Sequence, residues 1–436
     1  MQVSSNYHIM AKPTGSICNI GCDYCFYLEK HKLYPEREHN WRMDDETLEQ
    51  YIKQTIHAQD NDYVQFTWQG GEPMMMGLPF YEKAVRLSKH YSNGKQIEHT
   101  FQTNGLLIDD AWCQFFKENN FLIGISIDGP EELHDHFRKT RAGKPTHSKV
   151  VQGINLLRKH GVEFNTLTVV SSENVKHPLR VYEFLKEIGS SYIQFIPLVE
   201  RESHTEKNNP LRLVLPHEPA AEVTSWSVPP KAYGQFLSEI FDVWVRRDVG
   251  RVFINMFDST LSAWCDCSSS ICHLSETCGN AFVLESNGDL YSCDHYVYPE
   301  YLIGNINQKT INECKVTPQA IEFRTKKQLE LTPECESCEY KFACNGGCPK
   351  HRFSVSGEGY PRHNYFCQGY KAFFEHSAKY MQTMRTLINS GRYADEIMLM
   401  LAYQESSKLT TTGSTGRNES CPCESGKKYK HCCGKQ

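Results

Sequence analysis

The sequence lacks the features by which several large classes of protein are recognised. It contains no apolar run of the roughly 18 residues that a membrane-spanning helix requires. Residues 1–15 have no basic stretch followed by an apolar run, which a secretory signal would have. Neither sign of charge dominates, since 47 Lys and Arg residues are balanced by 52 Asp and Glu residues. These absences predict a protein without membrane or nucleic-acid partners.

Cysteine is abundant instead, because the 436-residue chain contains 19. In a chain without an export signal, so many thiols are more typical of metal ligands than of disulfides. The composition therefore predicts a reducing, low-oxygen cytoplasm as the compartment. At this length the chain can also contain a large core and more than one domain.

A short loop carries three cysteines, Cys18, Cys22 and Cys25, in the segment CNIGCDYC. A [4Fe-4S] cluster ordinarily takes four cysteine ligands, so a set of three leaves one iron open to a substrate or cofactor. Zinc sites also use closely spaced cysteines, and a cysteine-rich chain yields some short spacings by chance. The spacing favours an iron-sulfur cluster with an open iron.

Between residues 7 and 197, short β-rich runs alternate with longer amphipathic stretches, a pattern typical of βα units around a parallel sheet. The predicted strands are residues 7–11, 63–68, 97–103, 121–127, 164–170 and 192–196. The predicted fold class is therefore α/β, with fewer strands than an eight-stranded barrel. In such folds the active site lies beyond the carboxyl ends of the strands. The first strand leads into the cysteine loop, and Gln69, Gln102 and Asp128 follow three others.

The cysteine loop and the segment WQGGEP at residues 68–73 together resemble the radical S-adenosylmethionine (SAM) superfamily. In that superfamily the open iron chelates the amino and carboxylate groups of SAM. The GGE segment, here Gly70, Gly71 and Glu72, lines the pocket around the amino group. Glycine suits this place because a backbone without a Cβ atom can approach a ligand closely. The resemblance implies an open (βα)6 partial barrel.

The same resemblance implies further contacts with SAM. Tyr24 would contact the adenine, and Ser126 and Arg138 would hold the ribose and the carboxylate. An arginine suits a carboxylate because its guanidinium donates two parallel hydrogen bonds. In the alternative interpretation, Arg138 forms a solvated basic face with Lys139 and Arg141.

A second cysteine-rich region begins after residue 265 and is similar to the SPASM domain, a C-terminal extension of peptide-modifying radical SAM enzymes. The resemblance implies two auxiliary [4Fe-4S] clusters with four ligands each, so both would transfer electrons without binding substrate. The implied ligands are Cys272, Cys278, Cys293 and Cys348 for the first cluster, and Cys335, Cys338, Cys344 and Cys367 for the second.

Two alternatives apply to this region. A structural zinc ribbon would use four of the same thiolates, namely Cys335, Cys338, Cys344 and Cys348. Cys265 or Cys267 is also close enough in sequence to replace Cys272 as a ligand. The remaining cysteines, Cys113 and Cys314, are predicted to pack as small hydrophobic residues.

Within the superfamily, the detailed similarity is to anaerobic sulfatase-maturating enzymes. It rests on the cysteine loop and on WQGGEP (68–73), QTNG (102–105), SIDGP (126–130) and YSCDHY (291–296), and it covers about residues 7–400. These enzymes oxidise a cysteine or serine in a Cys/Ser-x-Pro/Ala-x-Arg segment of a sulfatase to Cα-formylglycine, the aldehyde residue that sulfatases require. The similarity implies the same reaction, with three [4Fe-4S] clusters and SAM as cofactors.

Two further residues take roles from this similarity. Asp294, which follows Cys293, matches the family's general base, because deprotonation of the substrate thiol or hydroxyl lets an electron leave the radical formed at Cβ. Gln69 matches a residue that contacts the substrate peptide. In the alternative interpretations, Asp294 caps a loop by hydrogen bonding and Gln69 is a polar group at the end of a strand.

The implied partners are an unfolded or nascent sulfatase polypeptide as substrate and an electron donor such as flavodoxin or ferredoxin. One alternative function is a SPASM maturase that crosslinks or otherwise modifies a ribosomal precursor peptide, since it would share the fold and the clusters. An alternative of another class is a non-catalytic iron-sulfur or zinc adaptor protein, in which the C-terminal tail binds the partner.

That tail, residues 417–436, resembles the SEC-C motif at the end of the SecA translocation ATPase, although Glu424 stands where the motif usually has glycine. Four thiolates suit a tetrahedral structural Zn²⁺ ion: Cys421, Cys423, Cys432 and Cys433. His431 could replace one of them. The tail has too few apolar residues for a core, so we expect it to be unfolded without metal. The resemblance implies that the zinc face and its lysines dock a protein partner.

The predicted domains follow from these segments. They are a radical SAM partial barrel at 1–235 with an insertion at about 200–230, a SPASM domain at 236–370, C-terminal helices at 371–404, a linker at 405–416 and the zinc motif at 417–436. The Ser, Thr and Gly content of residues 405–416 predicts a flexible linker.

Overall fold

The computed structural model describes residues 7–37, 41–203, 211–214, 218, 221–279, 281–412, 416–421, 423 and 425–435. The strands within them are β1 (His8–Lys12), β2 (Tyr63–Trp68), β3 (Gln96–Thr103), β4 (Leu122–Ser126), β5 (Phe164–Val170), β6 (Tyr192–Pro197), β7 (Arg201–Glu202), β8 (Glu222–Val223), β9 (Phe253–Ile254), β10 (Ala281–Glu285), β11 (Asp289–Tyr291), β12 (Leu302–Asn305), β13 (Arg352–Ser354) and β14 (His363–Asn364).

The α-helices are α1 (Asp45–Ala58), α2 (Leu78–Tyr91), α3 (Asp110–Glu118), α4 (Glu131–Phe137), α5 (His147–Lys159), α6 (Pro178–Glu187), α7 (Pro230–Arg247), α8 (Asn255–Trp264), α9 (Ile311–Cys314), α10 (Pro318–Leu329), α11 (Pro333–Glu336), α12 (Lys341–Cys344), α13 (Cys367–Asn389) and α14 (Glu396–Thr412). Side-chain caps define several helix starts. Asp44 accepts a hydrogen bond from the backbone N–H of Thr47 at the start of α1, and Asp109 does the same for Trp112 at the start of α3. Among the described residues, no helix is long and apolar enough to cross a membrane.

Strands β1 to β6 lie side by side in chain order and are all parallel. Helices connect successive strands, so this half of the chain is built from βα units. The α/β fold class is therefore confirmed, and the ends of the six predicted strands differ from β1–β6 by at most one residue. The period-2 and period-3.6 patterns were strong enough to place them.

The sheet does not stop at six strands. Strand β10 pairs in parallel with β1, with Lys12 opposite Glu285, and β11 and β12 continue the sheet in antiparallel pairs. At the other edge β9 pairs with β6. The second cysteine-rich region is thus joined to the first strand by backbone hydrogen bonds. Strand β10 is buried over four of its five residues, which is why the short run AFVLE can form an interior strand.

Strand β2 shows how the sheet separates its core from the functional edge. Val64, Phe66 and Trp68 alternate on the face that packs against helices and are fully buried. The rings of Tyr51 and Tyr81 meet Trp68 edge-on, with centroids 5.5 and 5.4 Å away. The residue after the strand belongs to the opposite set, so Gln69 is directed away from this core.

Two long helices close the C-terminal part. Helix α13 packs against α7 at a close backbone approach, since a Cβ atom on Gly369 would lie 2.1 Å from the carbonyl oxygen of Pro230. Helix α14 continues to Thr412, so the part of the predicted linker up to that residue is helical. The run from Glu396 contains Met, Leu and Ala, which are strong helix formers and carry the helix into the Ser- and Thr-rich stretch. Residues 413–415 of the predicted linker lie outside the described residues.

Candidate functional site

The three-cysteine loop begins directly beyond β1 and is held by hydrogen bonds from two other segments. The backbone N–H of Gly21 donates to the carbonyl of Lys139 over 2.9 Å, and the N–H of Glu72 donates to the carbonyl of Ile17 over 2.9 Å. The thiols of Cys18, Cys22 and Cys25 all line a cavity of about 140 Å³. Parallel strands bring their carboxyl ends to this edge of the sheet, as the sequence predicted.

Burial dominates the chemistry of these thiols. It raises the pKa of Cys18 to about 11 and that of Cys22 to about 12, and it also raises the pKa of Cys25. The charge of Cys25 raises the pKa of Cys18 further, and the charges of Cys25 and Cys18 do the same for Cys22. The three sulfurs therefore share one environment, which a bound cationic cluster would stabilise in the thiolate form.

Two glycines form the wall next to the cysteine loop. A Cβ atom on Gly71 would lie 2.0 Å from the carbonyl oxygen of Ile17, so only glycine fits there. Gly70 has a φ of +146°, which favours glycine. Both residues line the cavity, where their backbone can approach a bound molecule.

Glu72, the third residue of the GGE segment, is held by three hydrogen bonds. Its carboxylate is fully buried and accepts hydrogen bonds from the hydroxyl of Thr103 (2.8 Å) and the backbone N–H groups of Asn104 (2.8 Å) and Met74 (3.0 Å). Burial raises the pKa of Glu72 to about 7, although these donors lower it. Its carboxylate thus ties the glycine loop to the end of β3, and Glu72 is absent from the described lining of the cavity.

Tyr24 and Arg138 belong to a buried polar group on the opposite wall. The Tyr24 hydroxyl donates to Asp128 Oδ2 over 2.6 Å and accepts from Arg138 Nη1 over 3.0 Å. Arg138 is only 6% exposed, which excludes the solvated-face interpretation. Burial lowers the pKa of Arg138, but Tyr24, Cys22 and Asp128 raise it well above its usual value, so the guanidinium stays charged.

One guanidinium nitrogen of this group has no partner. Arg138 Nε is buried and makes no hydrogen bond within the described part of the chain, while Arg138 itself lines the cavity. A buried donor without a partner is costly unless a ligand satisfies it. Ser126, which also lines the cavity, accepts a 3.0 Å hydrogen bond from the amide of Gln102. The cavity therefore presents one unused cationic donor and one positioned hydroxyl.

A lysine that sequence reasoning missed connects the two candidate substrate residues. Lys12 Nζ donates to Gln69 Oε1 over 3.1 Å and lies 3.7 Å from Asp294 Oδ2. Gln69 lines the cavity, whereas Asp294 is absent from the described lining and reaches Gln69 through Lys12. The available signal was a charged residue at the end of an otherwise apolar strand, since β1 ends at Lys12.

Asp294 begins a short 3₁₀ helix directly after Cys293. Burial raises the pKa of Asp294, but the charges of His295, Lys12 and Lys350 and a hydrogen bond from Lys12 together bring the pKa below its ordinary value. Asp294 is thus a carboxylate near neutral pH. The described contacts of its carboxylate are with Lys12 Nζ, at 3.7 Å, and with the thiol of Cys293, at 4.0 Å.

The downstream cysteines form two groups. In the first group, the charge of Cys348 raises the pKa of Cys272, Cys278 and Cys293, after the larger effect of burial. In the second group, Cys335 and Cys338 act in the same way, again after burial, on both Cys344 and Cys367. These mutual effects are consistent with the two interleaved sets of four that the similarity implied, and the ligand sets stay a prediction.

The other cysteines lie apart from these groups. Burial raises the pKa of Cys265, and the cysteine whose charge adds to this effect is Cys267, in neither set. Cys113 and Cys314 are fully buried in the main hydrophobic core.

The tail places four sulfurs together. The ligand atoms of Cys421, Cys423, Cys432 and Cys433 all lie within 4.8 Å of one another. Cys423 Sγ is 3.3 Å from the sulfurs of both Cys421 and Cys432. The group contains four cysteines and does not include His431. This donor set suits a tetrahedral zinc ion.

Family models match three parts of the sequence. The Radical SAM superfamily matches residues 13–185, an iron-sulfur cluster-binding domain (SPASM) matches residues 272–339, and the SEC-C motif matches residues 417–435. The described ligand groups fall in or near the corresponding ranges. Cys344, Cys348 and Cys367 lie beyond the end of the second match.

The chain is also similar to known enzymes over most of its length. It is 47% identical over 395 residues to a serine-type anaerobic sulfatase-maturating enzyme of Bacteroides thetaiotaomicron, covering 90% of this chain and 95% of that enzyme. It is 37% identical over 374 residues to a cysteine-type anaerobic sulfatase-maturating enzyme of Clostridium perfringens, covering 85% of this chain and 95% of that enzyme. The solved structure "Native anSMEcpe with bound AdoMet and Cp18Cys peptide" has a TM-score of 0.76 and 35% identity, covering 87% of this chain and 99% of that one.

Proposed function

The chain belongs to the anaerobic sulfatase-maturating enzymes, and we propose that each residue described above has its own role in their reaction. These radical SAM proteins oxidise a cysteine or serine of a sulfatase to Cα-formylglycine. The oxidation removes one hydrogen atom, one proton and one electron from the substrate side chain. From serine this gives the aldehyde directly, whereas from cysteine it gives a thioaldehyde, which water hydrolyses to the aldehyde with release of hydrogen sulfide. Each of these three losses has a candidate destination in the structure.

The cavity next to the cysteine loop fits a [4Fe-4S] cluster with SAM. Cys18, Cys22 and Cys25 would hold the cluster, and the buried, unpartnered Nε of Arg138 suits the carboxylate of the cofactor. Gly70 and Gly71 provide the close backbone approach that an amino group beside the cluster needs. When bound and reduced, the cluster and SAM would supply a 5′-deoxyadenosyl radical that removes the Cβ hydrogen atom of the substrate.

Protein side chains would bind the substrate and accept its proton. Gln69 lies on the cavity wall, where its amide can bind the substrate backbone, and Asp294 is an ionised carboxylate that can accept the proton of the substrate thiol or hydroxyl. Tyr24, held by Asp128 and Arg138, would support the adenine. Glu72 would act behind the cavity wall by fixing the glycine loop.

The two downstream thiol groups would each hold a closed [4Fe-4S] cluster. Cys293 belongs to the first group and directly precedes Asp294, so the acceptors of the proton and of the electron would be neighbours along the chain. Such proximity couples the two losses that follow hydrogen removal. The electron would continue to an external carrier such as flavodoxin or ferredoxin, which can also supply the reducing electron.

The tail and the compartment complete the proposal. Cys421, Cys423, Cys432 and Cys433 would hold a structural Zn²⁺ ion, and the lysines of the tail would dock a further protein partner. The substrate would be an unfolded or nascent sulfatase, because the modified segment must enter the cavity. The cysteines present as free thiols support a reducing cytoplasm.

The observation that carries the proposal is the cavity in which three cysteines, the glycine pair, Arg138 and Gln69 meet. The enzyme, reconstituted anaerobically with iron, sulfide, SAM and reductant, should convert a Ser-x-Ala-x-Arg or Cys-x-Pro-x-Arg peptide to the aldehyde and form an equal amount of 5′-deoxyadenosine. A matched peptide with alanine at the reacting position is the control. Formation of 5′-deoxyadenosine without aldehyde from either peptide would contradict the proposal.

A further inference from the structure

We infer that Lys12 is a positioning residue that orients both the Gln69 amide toward the substrate and the Asp294 carboxylate toward its proton. This inference deepens the proposed function and rests on it. Lys12 is the last residue of β1 and is 2% exposed, so its ammonium group has left bulk water. A buried ammonium needs both hydrogen-bond acceptors and an opposite charge.

The hydrogen bond to Gln69 decides how that amide is turned. An ammonium group has donors and no acceptor, so it binds the oxygen of an amide and not its nitrogen. With Oε1 held 3.1 Å from Lys12 Nζ, the Nε2 group of Gln69 is left for the other side, where Gln69 lines the cavity. The amide therefore offers two N–H donors to a substrate, which suits the carbonyl oxygen of an extended peptide.

The charge of Lys12 is balanced by Asp294 rather than by its strand neighbour. Glu285 is the register partner of Lys12, but its oxygens are engaged by the Tyr27 hydroxyl and by Arg37, whose Nη1 lies 3.9 Å away. Burial also raises the pKa of Glu285 to about 8, against the opposing effect of the Lys12 charge. In the described part of the chain, the ion pair of Lys12 is with Asp294, at 3.7 Å.

A third contact restricts the lysine further. Lys12 Nζ lies over the ring of Tyr27, 4.1 Å from its centroid. The ring, Gln69 and Asp294 thus all contact the ammonium group. Lys12 lies on the first strand, whereas Asp294 follows the β10–β11 hairpin that pairs with that strand. Lys12 consequently contacts one residue of the cavity wall, Gln69, and one residue of the second cysteine-rich region, Asp294.

The test uses the full-length enzyme with its clusters and measures peptide affinity in the presence of SAM without reductant, so that no turnover occurs. Lys12→Met removes the charge and the donors with little change in length, while Lys12→Arg retains both. Lys83→Met is the matched control, because Lys83 forms an exposed ion pair with Asp45 over 2.8 Å. The probe is the Ser-x-Ala-x-Arg peptide, and Gln69→Ala is measured alone and combined with Lys12→Met.

We expect Lys12→Met to weaken peptide binding about tenfold, the loss typical of one hydrogen bond to a charged group, and Lys12→Arg to recover most of it. In the Gln69→Ala background, Lys12→Met should cause no further loss, because the affinity effect passes through the amide. With reductant, Lys12→Met should also lower kcat for aldehyde formation more than it raises KM, since Asp294 is misplaced as well.

Three outcomes would overturn the inference. They are wild-type affinity in Lys12→Met, an equal loss in the Gln69→Ala background, and a loss of affinity that is matched by lower iron content and melting temperature. If the wild-type enzyme forms aldehyde, only the role of Lys12 fails in these cases. If the wild type neither binds nor oxidises the peptide, the proposed function itself fails.

Discussion

The Tyr24 hydroxyl donates a 2.6 Å hydrogen bond to the carboxylate of Asp128, although the two residues are far apart in sequence and both are buried. The same hydroxyl accepts from Arg138. Tyr24 thereby links Asp128 to a guanidinium that lines the cavity. Its role could not be seen in the SIDGP segment alone, because the partners come from the cysteine loop and from the end of α4.

Replacement of Asp128 by asparagine should weaken SAM binding. The substitution removes the buried carboxylate that holds the Tyr24 hydroxyl and, through it, Arg138, and a hydrogen bond to a charged group contributes about 1.5–3 kcal/mol. Equilibrium binding of SAM should therefore weaken by at least tenfold. Asp110→Asn is the matched control, since Asp110 forms an exposed ion pair with Lys159. Unchanged SAM affinity in Asp128→Asn would show that Arg138 is held by other groups.

Gly71→Ala should prevent assembly of the first cluster. The added methyl group would lie 2.0 Å from the carbonyl oxygen of Ile17, so the loop that carries Cys18 must shift. Iron content after anaerobic reconstitution should fall by about four atoms per chain, the content of one cluster. Gly357→Ala is the control, because the nearest atom to its Cβ would be 3.8 Å away. Full iron content in Gly71→Ala would contradict this account of the loop.

The two downstream cysteine groups can be separated by serine substitution. Cys348→Ser should remove a ligand of the first group and lower the iron content by up to about four atoms per chain. Cys265→Ser should leave the iron content unchanged, since the cysteine charge that acts on Cys265 is that of Cys267. A loss of iron in Cys265→Ser instead would reassign the ligand now given to Cys272.

The stability of the enzyme should fall on acidification because of His99. This residue is 4% exposed, accepts a hydrogen bond from the Trp68 indole at Nδ1 over 3.2 Å, and burial lowers its pKa from 6.5 to about 3. In the unfolded chain His99 becomes protonated near pH 6.5, whereas in the folded chain it stays neutral down to about pH 3. Stability is therefore complete above the unfolded pKa and is lost as the pH falls below it.

At pH 5 this single group should cost about 2 kcal/mol relative to pH 8, since each unit of pKa shift corresponds to about 1.4 kcal/mol. His99→Asn keeps an acceptor for the Trp68 indole and removes the titration. The difference in unfolding free energy between pH 8 and pH 5 should then be smaller in the variant than in the wild type. If the variant and the wild type lose the same unfolding free energy between pH 8 and pH 5, the pKa of His99 does not differ between the folded and unfolded states.

Contiguous motifs were predictable and pairings across the fold were not. The three-cysteine loop, the GGE segment and the six parallel strands follow from spacing and periodicity within short windows. The hydrogen bonds of Glu72 could not be predicted, because Thr103 and Asn104 become its neighbours only when β3 ends beside the loop. Lys12 was missed because Gln69 and Asp294 meet it from two distant segments. Parallel pairing of β1 with β10, which joins both halves, likewise leaves no local pattern.

Loss of one tail cysteine should remove zinc without affecting iron. The tail contributes little apolar surface, so its structure depends on the metal held by the four sulfurs that lie within 4.8 Å of one another. Cys421→Ser should lower the zinc content by about one ion per chain and abolish protection from hydrogen exchange across residues 417–435. The matched control is Cys267→Ser, which changes an exposed cysteine outside the tail. Retained zinc and retained protection in Cys421→Ser would mean that the remaining three thiols, with a different fourth ligand, are sufficient to fold the tail.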